Sequence, residues 1–195
     1  TAYYRHVAPE DVSGRADVDV YGALASHYRL AAERPQGTAR VRVLTPTLAE
    51  DGWSAGGHSV VEVVTDDMPF LVDSVAASIA ALGLSIDRLV HPVIPVERDK
   101  KGLLTGIPDG DPEDAYWESM IYIEAARVDA KTRRQLQESL KETLADVRAA
   151  VTDWADVQEA MSADAARIRE SDEEGAELLE WLNSGMLTQL GHVIQ

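Results

Sequence analysis

Hydrophobic and polar positions along the chain change period several times, and each change marks an element. Val18, Tyr21, Ala25, Tyr28 and Ala32 recur at intervals of three and four, which predicts an amphipathic helix over 17–33, stopped by Arg34-Pro35-Gln36-Gly37. Arg40-Val41-Arg42-Val43-Leu44 alternates as a short strand does, and a loop holding Pro46, Gly52, Gly56 and Gly57 then joins this N-terminal arm to a main domain. Ser59 to Thr65 is apolar on both faces apart from Glu62, the pattern of a central strand covered on at least one side. After Asp66-Asp67-Met68-Pro69, the stripe Leu71, Val72, Val75, Ile79 and Leu82 predicts a helix that Gly83 closes in the left-handed cap position. Ile86 to Val96 is β-rich, but Pro92 and Pro95 lack ladder donors, so this strand belongs at a sheet edge or carries a bulge.

Turn-forming residues fill 99–114, and the β-like run Trp117 to Ala125 completes a long hairpin. Asp129 is placed to cap a helix bearing Leu136, Leu140, Leu144 and Val147, after which 147–151 reads as a fourth strand. The order β-α-β-β-α-β is that of an α+β, ferredoxin-like fold, with two helices on one face of a four-stranded antiparallel sheet and the other face free to meet a partner. Beyond it, Trp154, Val157, Met161, Ala165 and Ile168 mark a further helix, and Ser171-Asp172-Glu173-Glu174 forms a capping box ahead of Leu178, Leu179 and Leu182, with Gly185 as the stop. The expected organisation is an arm over 1–57, a ferredoxin-like domain over 58–152, and a helical linker over 153–195 leading into a following domain. An opening on Thr1 without methionine, and a strand-like ending at Gln195, read as a piece of something longer.

Composition narrows the function classes. A chain of 195 residues, 45% hydrophobic and 27% charged, can bury a real core without disulfides or metals. Its 34 acidic and 18 basic residues give a net charge of -16, which disfavours nucleic acid and anionic lipid as partners. No cysteine is present, which removes thiolate chemistry and permits a reducing cytoplasm, the default location in the absence of a signal-peptide pattern or membrane span.

The Asp66-Asp67-Met68-Pro69-Phe70-Leu71 turn is where chemistry is most readily placed. A strand ends there, and exposed backbone N–H groups at the start of the next helix suit a carboxylate or other anion. The plainer reading is that Asp67 caps the helix and Pro69 occupies its first turn. Asp109-Gly110-Asp111-Pro112-Glu113-Asp114 resembles a fragment of a calcium loop but lacks the full twelve-residue pattern, so a solvated hairpin is expected. His6, His27, His58, His91 and His192 are scattered, with no metal-binding spacing. No Gly-rich nucleotide loop, nucleophile elbow or Walker lysine occurs. Trp117, Trp154 and Trp181 fall on strand or helix stripes and read as core, whereas Trp53 packs its Gly-rich loop down or touches a neighbouring subunit.

Asp67, Pro69, Leu71, Leu82, Gly83 and Ile86 resemble the turn, helix and strand of the ACT family. More closely, Asp66 to Val75 with the later His91-Pro92-Val93 resembles the N-terminal region of the very large bacterial NAD-dependent glutamate dehydrogenases, and so do Tyr3 to Val7, Asp19 to Ala23, Gly52-Trp53 and Glu177 to Leu182. That resemblance implies a non-catalytic assembly or regulatory module. No cofactor is implied in this chain; NAD and the oxidative deamination of L-glutamate to 2-oxoglutarate belong to the rest of the enzyme. The partners it implies are the remainder of the same chain, a homo-oligomer and an amino-acid effector at Asp66 to Leu71; a stand-alone amino-acid sensor is the alternative. Phe70 stands where amino-acid-binding ACT domains carry glycine, which favours a packing surface over a ligand site.

Overall fold

Ser59 to Thr65 is buried along its whole length, Glu62 included. The computed structural model describes residues 2–4, 7, 14–108, 116–186 and 188–191, in two compact units, Thr1–Ala145 and Asp146–Gln195. In the first, a short 3-10 turn, Ala2–Tyr4, precedes α1 (Asp17–Ala31), β1 (Arg40–Leu44), β2 (Ser59–Asp66), α2 (Leu71–Ala81), β3 (Ile86–Val90), β4 (Val93–Arg98), β5 (Leu104–Gly106), β6 (Tyr116–Ala125) and most of α3 (Ala130–Thr152). The sheet runs β1-β2-β6-β4-β5 with β3 also on β6, and every paired neighbour is antiparallel. This is the α+β, ferredoxin-like architecture the pattern predicts, with one substitution of parts.

The expected fourth strand at 147–151 is helix. No glycine or proline interrupts Ala130 to Thr152, and Leu136, Leu140, Leu144 and Val147 keep a helical period with at most 9% exposure, so α3 runs through the segment. Its place beside β2 goes to β1, with Val41 opposite Val63 and Val43 opposite Val61. The N-terminal arm therefore supplies part of the sheet. The expected 86–96 strand is two strands, broken at His91-Pro92, with β3 carrying a bulge between Ile86 and Arg88. Pro92 still contributes its carbonyl, which accepts from Met120 N at 2.9 Å.

Neither face of the sheet is free. Alternation puts Val61, Val63, Ile121 and Ile123 on one face, where the layer of α2 and α3 is tied together by Ser78 and Thr143 hydroxyls 2.9 Å apart and to β1 by the Val43 N–H on Gln137 Oε1 at 3.1 Å. On the other face Val60, Val64, Met120 and Tyr122 form a cluster with Ala23 and Ala31 of α1 and with Trp53 and Ala55 of the loop. The face expected to await a partner is covered by the chain's own N-terminal segment.

That covering turns α1 over relative to its predicted stripe. The buried residues are Ala23, Ser26, His27 and Ala31, while Val18, Tyr21 and Tyr28 are 51%, 72% and 51% exposed. Small and hydrogen-bonded residues win the inner face because they allow close approach. A Cβ on Gly22 would lie 2.2 Å from Trp53 Cβ, so only glycine lets the Trp53 side chain lie there. His27 donates from Nε2 to Val63 O at 3.0 Å and accepts at Nδ1 from Tyr3 Oη at 2.7 Å, so it is buried neutral and fully partnered.

The second unit holds α4 (Trp154–Ile168) and α5 (Glu173–Trp181), followed by a wide turn, Leu182–Met186, in which Gly185 has φ 98°. Asp172 caps α5, accepting from Gly175 N at 2.8 Å, one residue after the expected Ser171. An Arg169–Glu180 pair links the two helices. Leu178 and Trp181 are each 54% exposed, so the core reading of Trp181 does not hold. The Asp109 to Asp114 loop, His6 and His192 lie outside the described residues.

Candidate functional site

At the end of β2 the two aspartates of the turn point to opposite faces, because successive side chains of a strand alternate. Asp66 Oδ1 accepts from Arg34 Nη2 at 2.7 Å and its Oδ2 from Gly37 N at 3.1 Å, on the α1 side. Asp67 Oδ1 accepts from Ser119 Oγ at 2.5 Å, while its N–H donates to Trp117 O at 2.9 Å. Ser119 gives its proton to Asp67, so its oxygen is left to accept from His91 Nε2, 2.9 Å away. Burial pushes the His91 imidazole below the ordinary histidine value, with the Asp67 charge working against it. The sequence phrases around Asp66-Asp67 and His91-Pro92-Val93, far apart along the chain, thus meet through one buried serine.

This arrangement displaces the expected helix cap. Phe70 occupies the N-cap position of α2, Pro69 precedes the helix, and no side chain caps it, because Ser119 holds the Asp67 carboxylate. Phe70 sits at φ 68° and ψ 0°, the one non-glycine residue with positive φ among those described. A side chain in that left-handed region costs about 1–2 kcal/mol, so Phe70 holds a backbone geometry that glycine would adopt without strain. The ring is 41% exposed and protrudes, whereas Leu71 is 2% exposed and belongs to the core. Met68 is half-buried, and Asp67 and Pro69 are exposed.

Beneath the turn lies a cluster that the hydrophobic pattern did not reveal. Glu118, fully buried on β6 opposite Asp66, accepts from Arg34 Nε and Nη2 at 3.1 and 2.6 Å and from Arg98 Nε and Nη2 at 2.5 and 2.7 Å. Arg98 also donates to Ala31 O and Gly102 O, so the end of α1, the 99–102 turn and two strands are fastened to one carboxylate. The same face carries Glu62 paired with Arg42, and Glu124 paired with Arg15 and Arg88. Burying a carboxylate requires such partners. Glu118 and Glu124, at even spacing in a buried strand, were the available signal for this cluster; the arginines that answer them could not be assigned from spacing.

Chemically the site holds a turn rigid. Ser119 stands between a histidine and an aspartate, but its proton goes to the carboxylate and it is fully buried, so the imidazole does not activate it as a nucleophile. Among the described residues no group of three histidines or carboxylates is placed to hold a metal ion. Among them, too, no helix is long and apolar enough to cross a membrane.

Compared with known families, residues 1–140 match the model of the glutamate dehydrogenase ACT1 domain. The chain is 32% identical over 202 residues to the NAD-specific glutamate dehydrogenase of Halomonas elongata and 33% over 205 residues to that of Pseudomonas aeruginosa, covering 97% of this chain and 12% of the relative in each case. To the NAD-specific glutamate dehydrogenase of Mycobacterium tuberculosis it is 29% identical over 182 residues, covering 87% of this chain and 11% of the relative.

Proposed function

The chain belongs to the glutamate dehydrogenase ACT1 domain family, and from that premise we propose that it is a non-catalytic assembly module of a large NAD-dependent glutamate dehydrogenase. In this reading the oxidation of L-glutamate to 2-oxoglutarate, ammonia and NADH takes place elsewhere in the polypeptide, and the turn from Asp66 to Leu71 meets another protein surface in a homo-oligomer. The observation that carries it is Phe70. Both turn carboxylates already hold partners within the domain, and beside the exposed Asp67 and Pro69 the turn presents an apolar ring on a backbone strained to hold it there. A strained, exposed aromatic suits a partner's apolar pocket better than a free amino acid.

A second reading, an amino-acid effector at the same turn, is favoured by one feature: α2 begins without a side-chain cap, so its first N–H groups are available to a carboxylate. Phe70→Gly in the full-length dehydrogenase separates the two. For assembly, sedimentation shows a smaller particle and calorimetry shows no new heat with any common amino acid. For sensing, the particle is unchanged and a saturable heat appears or grows. An unchanged particle with no heat removes both, and glutamate-dependent NAD reduction by this chain alone overturns the non-catalytic reading.

A further inference from the structure

Among the described residues, the outward face of α1 carries an exposed apolar stripe. Val18, Tyr21, Ala25 and Tyr28 keep helical spacing along it and border a groove of about 780 Å³, floored by Trp53, Ile94 and Met120. Trp53 is 1% exposed and is locked against Gly22, and Asp19 Oδ1 accepts from Ser54 N at 2.7 Å, so the floor is a fixed surface. From Val18 to Tyr28 the stripe spans about 15 Å at 1.5 Å per residue, the length of about three helical turns.

We propose that this groove docks an amphipathic helix of about three turns supplied by the remainder of the same long polypeptide, an inference that rests on reading the chain as a module of the larger enzyme. Three observations select that occupant. Tyr21 is 72% exposed and Val18 and Tyr28 are 51% exposed, a row of open apolar contacts at helical spacing of the kind that an amphipathic helix covers. A net charge of -16 sets a second copy of this chain against it by like-charge repulsion. The chain accounts for 12% of the length of its relatives, which leaves ample polypeptide to supply a helix, and tyrosine-rich apolar stripes are typical of the centres of protein interfaces.

These 195 residues hold no cysteine, so one introduced into them is the sole thiol of its peptide. Tyr28→Cys is introduced into this chain and into the full-length enzyme, and the maleimide labelling rate at that peptide is followed by mass spectrometry. The expected result is labelling at least tenfold slower in the full-length protein, restored to the rate of the isolated chain when Tyr21→Asp is added to break the apolar stripe. Equal rates in the two proteins overturn the proposal. So does protection of the isolated chain that grows with its own concentration, which would make the occupant a second copy, and so does protection conferred by a free amino acid. Because the Phe70 reading is scored by particle size, a failure here leaves it standing, and its failure leaves this labelling result interpretable.

Discussion

Replacing Glu118 with glutamine keeps the size of the side chain and removes its charge. In the native fold Oε1 takes three guanidinium N–H groups, from Arg34 Nε and Nη2 and Arg98 Nε, and Oε2 takes one, from Arg98 Nη2. A glutamine whose carbonyl replaces Oε1 keeps three of these contacts as weaker neutral-acceptor bonds and turns the fourth into a clash between donors. Arg34, whose side chain is 1% exposed, then keeps Asp66 as an ion-pair partner, while Arg98, 7% exposed, loses the charge of the carboxylate it is paired with. Removing one partner from a buried ion pair costs about 3–5 kcal/mol, which for a unit of this size lowers the melting temperature by roughly 10 °C. Urea and thermal unfolding followed by tryptophan fluorescence measure it, with Trp53 as the buried reporter of the first unit. A loss below about 1 kcal/mol would mean that the cluster does not fasten the N-terminal segment to the sheet.

Gly22→Ala puts a methyl group into Trp53 and should destabilise the unit by about 1–3 kcal/mol, with a red shift of tryptophan emission as Trp53 is lifted; an unchanged spectrum would mean the contact is not rigid. Burial pushes the His27 pKa below its usual 6.5, so the unfolded chain takes up a proton before the folded one does. Stability is therefore full above about pH 6.5 and falls by up to about 1.4 kcal/mol per pH unit as the pH drops below it, until the depressed folded pKa is reached. His27→Gln should flatten that fall, leaving the contribution of His91, which has the same sign; equal slopes in the two proteins would show that His27 charges as readily folded as unfolded. Ser119→Ala strips Asp67 and His91 of their shared partner and should cost about 1–3 kcal/mol in chemical denaturation, whereas a neutral result would mean the turn is held by backbone alone.

Local chemistry in the sequence determined the elements whose signals are covalent or periodic. The unbroken apolar run of β2 made it central, Gly83 stopped α2 at φ 71°, and Asp129 capped α3 by accepting from Thr132 N at 2.8 Å. The resemblance at Asp66 to Val75 located the turn. Pattern failed where two arrangements satisfied the same periodicity. Leu144, Val147 and Val151 suit either a helix or a strand start, and only the burial of a continuous helical stripe settled on helix. The stripe of α1 was visible, but which face turned inward was decided by Gly22, Ser26 and His27, whose partners come from Trp53, Arg42 and Val63 in distant segments.

By itself, then, the sequence determined the order of elements from α1 to β3, the places of β6 and of the start of α3, the α+β class, the cysteine-free acidic character and the position of the turn, because helix and strand periods and glycine caps act within a few residues. Tertiary structure alone decided that β1 completes the sheet, that α1 covers its second face, and that Asp66 and Asp67 are held from opposite sides by Arg34 and Ser119. Those outcomes depend on pairing across tens of residues, where a buried carboxylate must find its arginine and a strand edge its neighbour, and no local spacing encodes which one it finds.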